Sequence, residues 1–146
     1  MNLSRRTIHL IGLLSLVALG GCDSIFGPDE LRVPGILRLE ADVVEVPDVA
    51  VVDEAVTIRV TTGFYGGCSR KGDTQFEQDG SRVVVRPFDY LTSPGDDSDC
   101  VTMVRTFLHE IELQFDETGV VTVRIEGSDE TGGHRAIERE IVVEEA

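Results

Sequence analysis

The chain has 146 residues, 41% of them apolar, with 27 Asp and Glu against 13 Lys and Arg and a formal charge of −14. Such acidity repels nucleic-acid phosphates and anionic head groups, which argues against nucleic acid as a partner. The apolar share and the lack of a long low-complexity tract argue against disorder, and the length suits one domain of ordinary size.

Arg5 and Arg6 give a basic start, and Ile8 to Leu19 is an apolar run of about a dozen residues, short of the roughly 20 that a spanning helix needs. This reads as a secretory signal. Its last four residues, Leu19-Gly20-Gly21-Cys22, resemble the lipobox of bacterial lipoproteins. The resemblance implies cleavage before Cys22, a diacylglycerol thioether on its sulphur and usually a third acyl chain on the new amino terminus. Each buried CH₂ is worth about 0.8 kcal/mol, so two or three chains anchor firmly. The expected organisation is a signal peptide at 1–21, a lipidated Cys22 with its tether at 22–35, and a folded domain at 36–146. Ser4-Arg5-Arg6-Thr7-Ile8 also resembles a twin-arginine export signal. Asp23 resembles the inner-membrane retention signal of enteric bacteria, and the choice between inner and outer membrane stays open. The expected location is the cell envelope, with the domain in the periplasm or at the surface. The membrane is then a partner through the lipid. Two of the basic residues and none of the acidic ones precede Cys22, so the mature chain holds 11 against 27, about −16.

With Cys22 assigned to lipid, Cys68 and Cys100 remain as a pair in an oxidising compartment, and a disulfide is expected between them. Closing a loop of about 33 residues contributes roughly 3 to 4 kcal/mol on the chain-entropy account. The sequence Asp23 to Gly35, with two prolines and two glycines, suits a tether of at most roughly 40 Å.

From Ile36 the hydrophobic period is two. Leu37, Leu39, Ala41 and Val43 start a strand whose phase slips before Val44-Glu45-Val46-Pro47, suiting a first strand that kinks and crosses between sheets. Ala55 to Thr62 alternates Val56, Ile58 and Val60 with Thr57, Arg59 and Thr61. Thr74 to Gln78 and Arg82 to Asp89 flank Asp79-Gly80, a dipeptide suited to a tight hairpin turn. Met103 to Phe115 reads as one long strand with Phe107, Ile111, Leu113 and Phe115 in phase. Gly119 to Gly127 alternates again, and Ile137, Ile141 and Val143 share a face. These readings predict an all-β, antiparallel two-sheet sandwich of about seven strands. The run from Val46-Pro47-Asp48 through Asp53-Glu54-Ala55-Val56-Thr57-Ile58-Arg59-Val60 to Glu117-Thr118-Gly119-Val120-Val121-Thr122-Val123 resembles an immunoglobulin-like domain of a bacterial surface protein. That resemblance implies a fold and nothing about activity.

Several residues are candidates for chemistry. His109 shares a face with Phe107, Ile111 and Leu113, so it is a buried ligand or base, or more simply a satisfied core histidine. His134 follows Thr131-Gly132-Gly133 and is expected in an exposed hairpin loop. Gly95-Asp96-Asp97-Ser98-Asp99 offers oxygen ligands for calcium but lacks a complete loop pattern, and a solvated acidic loop is the simpler reading. Glu110, Glu112, Glu138, Glu140, Glu144 and Glu145 are expected on polar strand faces, where they discourage edge pairing. Ser69 and Ser98 lack a nucleophile elbow. The stretch Thr61-Thr62-Gly63-Phe64-Tyr65-Gly66-Gly67 is expected as a loop with contact residues Thr62, Gly63, Phe64 and Tyr65. It resembles the Thr-Thr-Gly-Phe tip of chagasin-like cysteine protease inhibitors, as Arg86-Pro87-Phe88 resembles their Arg-Pro-aromatic loop. The reading that best fits the whole is a lipid-anchored binding or accessory module with a protein partner in the envelope. It has no catalytic residue, cofactor or metal. The alternatives are protease inhibition and an envelope enzyme using His109 and nearby carboxylates.

Overall fold

The computed structural model describes residues 30–38, 43–66, 68–92 and 103–146. The leader, Cys22, the first part of the tether, the acidic residues Asp96 to Asp99 and Cys100 lie outside them. The described chain is all β. Its strands are β1 (Glu30–Pro34), β2 (Val44–Glu45), β3 (Val49–Val51), β4 (Ala55–Tyr65), β5 (Ser69–Asp79), β6 (Arg82–Thr92), β7 (Val104–Gln114), β8 (Gly119–Ser128) and β9 (His134–Glu144). These are nine strands among the described residues where about seven were expected.

Strands β2, β4 and β7 make one sheet, and in the other β3, β9, β8 and β6 lie side by side. β5 runs along one edge of β6. The other edge of β6 is shared, by β8 at Arg82–Val85 and by β1 from Phe88 to Thr92. Period-two alternation explains the sandwich, because each strand turns one row of side chains inward. Ile58 and Val60 of β4, Val83 and Val85 of β6, Ile111 and Leu113 of β7, Val123 and Ile125 of β8, and Ile141 and Val143 of β9 are buried together. Full burial of such a side chain contributes about 1.5–3 kcal/mol, enough to fix which face points inward.

Two turns follow the expected chemistry. Gly80 adopts φ 52° in the β5–β6 hairpin, a left-handed angle that glycine takes without steric cost. After β2 the chain passes Pro47 and joins the opposite sheet as β3, the predicted kink and crossing.

Other expectations need correction. Residues 30–34, assigned to the tether, are strand β1, so the folded part begins by Glu30. The pairing is not wholly antiparallel, since β6 with β8 and β3 with β9 are parallel. The cause for β6 and β8 is topological: β7 between them belongs to the other sheet, so the chain crosses over and returns in the same direction.

Two clasps hold β1 to the hairpin across the outer face of β6. Arg32 of β1 lies over the Phe88 ring, 3.4 Å from its centroid, and donates to both carboxylate oxygens of Asp73 on β5 at 2.9 and 2.7 Å. In the opposite direction Arg70 of β5 lies over Tyr90 and pairs with Glu30 of β1. Further along, Arg86 reaches Glu77 and Glu126, and Arg124 joins Glu126 to Glu138. Pairs of opposite charge therefore lie along this face.

Candidate functional site

The inward rows of β4, β6 and β7 do not stay apolar. At one level, toward the end of the sandwich where β1 begins, they present Thr62, Asp89 and His109, each 0% exposed. A charged or polar group is expensive to bury without partners, and these three supply one another. Thr62 Oγ1 donates to Asp89 Oδ2 at 2.6 Å. His109 Nε2 stands 3.2 Å from both Asp89 Oδ1 and Thr62 Oγ1. On the far side of the ring, His109 Nδ1 is 2.7 Å from Thr74 Oγ1 of β5. Among the described residues no buried side-chain nitrogen or oxygen lacks a hydrogen-bond partner.

The network assigns its own hydrogens. A carboxylate oxygen accepts, so the tautomer with its hydrogen on Nε2 aims it at Asp89 Oδ1. The hydroxyl hydrogen of Thr62 goes to Oδ2, which leaves Thr62 Oγ1 as a second acceptor beside Nε2. In that tautomer Nδ1 accepts from Thr74 Oγ1. A hydrolytic triad differs: there the carboxylate orients one ring nitrogen while the other takes the proton of the nucleophile. Here hydroxyl and carboxylate crowd the same nitrogen, and the hydroxyl hydrogen is directed to the carboxylate. His109 is thus fully buried with both ring nitrogens within hydrogen-bond reach of protein partners, as in a satisfied core histidine.

Close backbone approaches make room for this layer. A Cβ on Gly35 would stand 2.3 Å from Thr62 Cγ2 and 3.3 Å from Asp89 Oδ2, so only glycine lets the segment after β1 pass. A β-bulge in β5 sets three residue steps from Lys71 to Thr74 against two from Asp89 to Pro87 on β6. The extra residue turns Asp73 outward to Arg32 and Thr74 inward to His109.

The other predicted residues lie elsewhere. The expected loop from Thr61 is not a loop: Thr61 to Tyr65 continue β4, Thr62 is in the core and Gly63 is buried opposite Thr106. Thr62 and Gly63 are therefore corrected from loop contacts to interior residues, because the β4–β7 ladder runs on to Tyr65–Val104. Phe64 and Tyr65 are backbone partners of Arg105 and Val104 in that ladder. Arg86-Pro87-Phe88 sits within β6, with Pro87 fully buried and Phe88 beneath Arg32. His134 opens β9 and is exposed, and Glu110, Glu112, Glu138, Glu140, Glu144 and Glu145 are all exposed.

Two surface depressions accompany these elements. One of about 500 Å³ is lined by Asp53, Asp116, Glu117 and Glu145 at the far end, and one of about 460 Å³ by Val33, Ile36, Asp129 and Glu130. Neither is lined by His109, Asp89 or Thr62. Among the described residues no group of three His, Cys, Asp or Glu side chains is placed to hold a metal.

Asp89 and Thr74 were missed as partners of His109. For Asp89 a signal existed, since Val83, Val85, Pro87 and Asp89 share one inward phase; for Thr74 there was none, because the bulge in β5 resets its phase. Comparison with protein-family models, curated proteins and solved structures gives no match.

Proposed function

We propose that the chain is a lipid-anchored, non-catalytic binding or accessory module of the bacterial cell envelope, held to a membrane through Cys22. The observation that carries this reading is the order of its first residues: a basic start, an apolar run too short to span, small residues, and Cys22 at the boundary. Strand β1 adds weight, since the folded part begins only eight residues after that cysteine. The non-catalytic half of the proposal rests on His109. Both its ring nitrogens are engaged inside the protein and it has no exposed surface, so it offers no atom to a substrate.

The proposal includes a Cys68–Cys100 disulfide and an immunoglobulin-like identity for the sandwich. In favour of the disulfide, the chain has three cysteines, so a lipidated Cys22 leaves Cys68 and Cys100 as the pair that an oxidising compartment would join. The passage of the chain from β2 in one sheet to β3 in the other supports the immunoglobulin-like likeness, while the parallel β6–β8 pair departs from an all-antiparallel arrangement.

Expression in a bacterium fed an alkyne fatty acid tests the anchor. The wild-type chain should take up label and sediment with membranes, and Cys22→Ser should do neither. An unlabelled wild-type chain would end the proposal. Intact mass after alkylation without reduction should find no free thiol at Cys68 or Cys100.

A further inference from the structure

The direction of β1 decides which end of the domain faces the lipid. Glu30 pairs with Thr92, Ser69 with Leu91 and Tyr65 with Val104, so β1 starts at the end of the sandwich where β4 and β6 finish and β5 and β7 begin. This inference rests on the anchor proposed above. From Cys22 to Glu30 is eight residue steps, at most about 29 Å of fully extended chain. The strands β4, β5, β6, β7 and β9 are each 11 residues long, about 36 Å at 3.3 Å per residue. An inverted domain would hold Glu30 farther from the bilayer than its tether can reach.

Both ends expose apolar side chains, the far one Val49, Val120 and Val142, so it is the reach of the tether that selects between them. Near the start of β1 are Leu31, 62% exposed, with Met103 at 47% and Val104 at 46%. The charges at this end are mixed, and the sequence joining β6 to β7 there also carries Asp96, Asp97 and Asp99. Glu30 and Asp73 are each paired with an arginine, while Lys71 and Arg105 are also exposed. At the opposite end Asp53, Glu54, Asp79, Asp116 and Glu117 are all exposed. About 36 Å exceeds four screening lengths of roughly 8 Å at physiological salt, so those distant carboxylates exert little repulsion on a bilayer at the β1 end.

We propose that this end is a membrane-contact surface, which docks Leu31, Met103 and Val104 into the interfacial region of the bilayer to which Cys22 is tethered. Three apolar side chains bind lipid weakly on their own. Tethering makes the contact intramolecular, at high effective concentration, so weak contacts are enough to orient the domain. The acidic end then projects outward from the membrane.

The chain contains no tryptophan, so a single introduced indole reports without background. Full-length lipidated Leu31→Trp, Val104→Trp and Val120→Trp are reconstituted separately into phosphatidylcholine vesicles and into vesicles with one quarter phosphatidylglycerol. Bromine-labelled acyl chains serve as quencher. Leu31→Trp and Val104→Trp should be quenched and blue-shifted in both lipids, and Val120→Trp, toward the acidic end, should not. Adding Met103→Glu and Val104→Glu to the Leu31→Trp chain should abolish the quenching while the protein still floats with the vesicles. Flotation without quenching at Leu31 and Val104 overturns the docking surface and leaves the anchor standing. Failure to float overturns the anchor itself. Equal quenching at Val120 overturns the orientation. All these positions are exposed, and an unchanged circular dichroism spectrum certifies each fold.

Discussion

The interior of this sandwich has two halves built on one rule and filled with opposite chemistry. Toward the acidic end, inward positions hold Ile58, Val83, Ile111, Val121 and Val143, which need only volume and shape. Toward the β1 end the same strands offer Thr62, Asp89 and His109, which need particular atoms at particular distances. An apolar contact tolerates a shifted neighbour, whereas a buried carboxylate with a missing partner does not. The polar half is therefore the demanding one, and the glycine and the bulge beside it follow from that demand.

Asp89→Ala gives the largest test of this contrast. It strips His109 and Thr62 of their shared acceptor inside the core, and the expected loss is about 3–5 kcal/mol in a urea titration. The double variant with His109→Ala should cost less than the two single losses together, since neither partner is then left stranded. A loss under about 1 kcal/mol for Asp89→Ala would place the layer among dispensable contacts.

Gly35→Ala comes next. Its new Cβ would meet Thr62 Cγ2 at 2.3 Å, and overpacking of this sort costs about 1–3 kcal/mol. Thr74→Val keeps the volume and removes the hydroxyl facing Nδ1, an expected loss of about 1–2 kcal/mol by the same titration. Ile58→Val, in the apolar half, should cost only about 0.5–1.5 kcal/mol. Should Ile58→Val prove costlier than Thr74→Val, the contrast between the halves would be reversed.

The outer charge pairs contribute the smallest, pH-dependent effect. Hydrogen bonds from Arg124, then Arg86, hold the Glu126 carboxyl below its ordinary value of 4.5, and Arg32 does the same for Asp73 below 3.8. A depressed carboxyl favours the folded state above its ordinary value. That contribution fades as the pH falls from there through the lower folded value. Acid titration of the melting temperature should thus show a decline below about pH 4.5, shallower in Glu126→Gln than in the wild type. Identical slopes would mean the pairs add nothing measurable.

Much of this was legible beforehand, and the misses are specific. The strands β4, β6, β7, β8 and β9 were read from alternation because each buries one face, and burial is what writes period two into a sequence. The strand β1 was not legible: Glu-Leu-Arg-Val-Pro is mostly exposed, and it is held by backbone ladders and by arginines laid over Phe88 and Tyr90. Thr62 and Gly63 were read as loop because Gly63, Gly66 and Gly67 promise flexibility beside Phe64 and Tyr65. Here threonine turns inward to a carboxylate 27 positions away.

Alone, the sequence determined the class of the fold, the inward row of most strands, the Asp79-Gly80 turn and the crossing at Pro47, since each is a local consequence of side-chain chemistry along a few residues. Tertiary structure decided that β6 runs parallel to β8, that β1 closes the sheet, and that Thr62, Thr74, Asp89 and His109 meet. Period two turns Thr62 and Asp89 inward but does not say which distant residues they meet. Their meeting depends on how strands from both sheets stack, which is settled only when the whole interior packs at once.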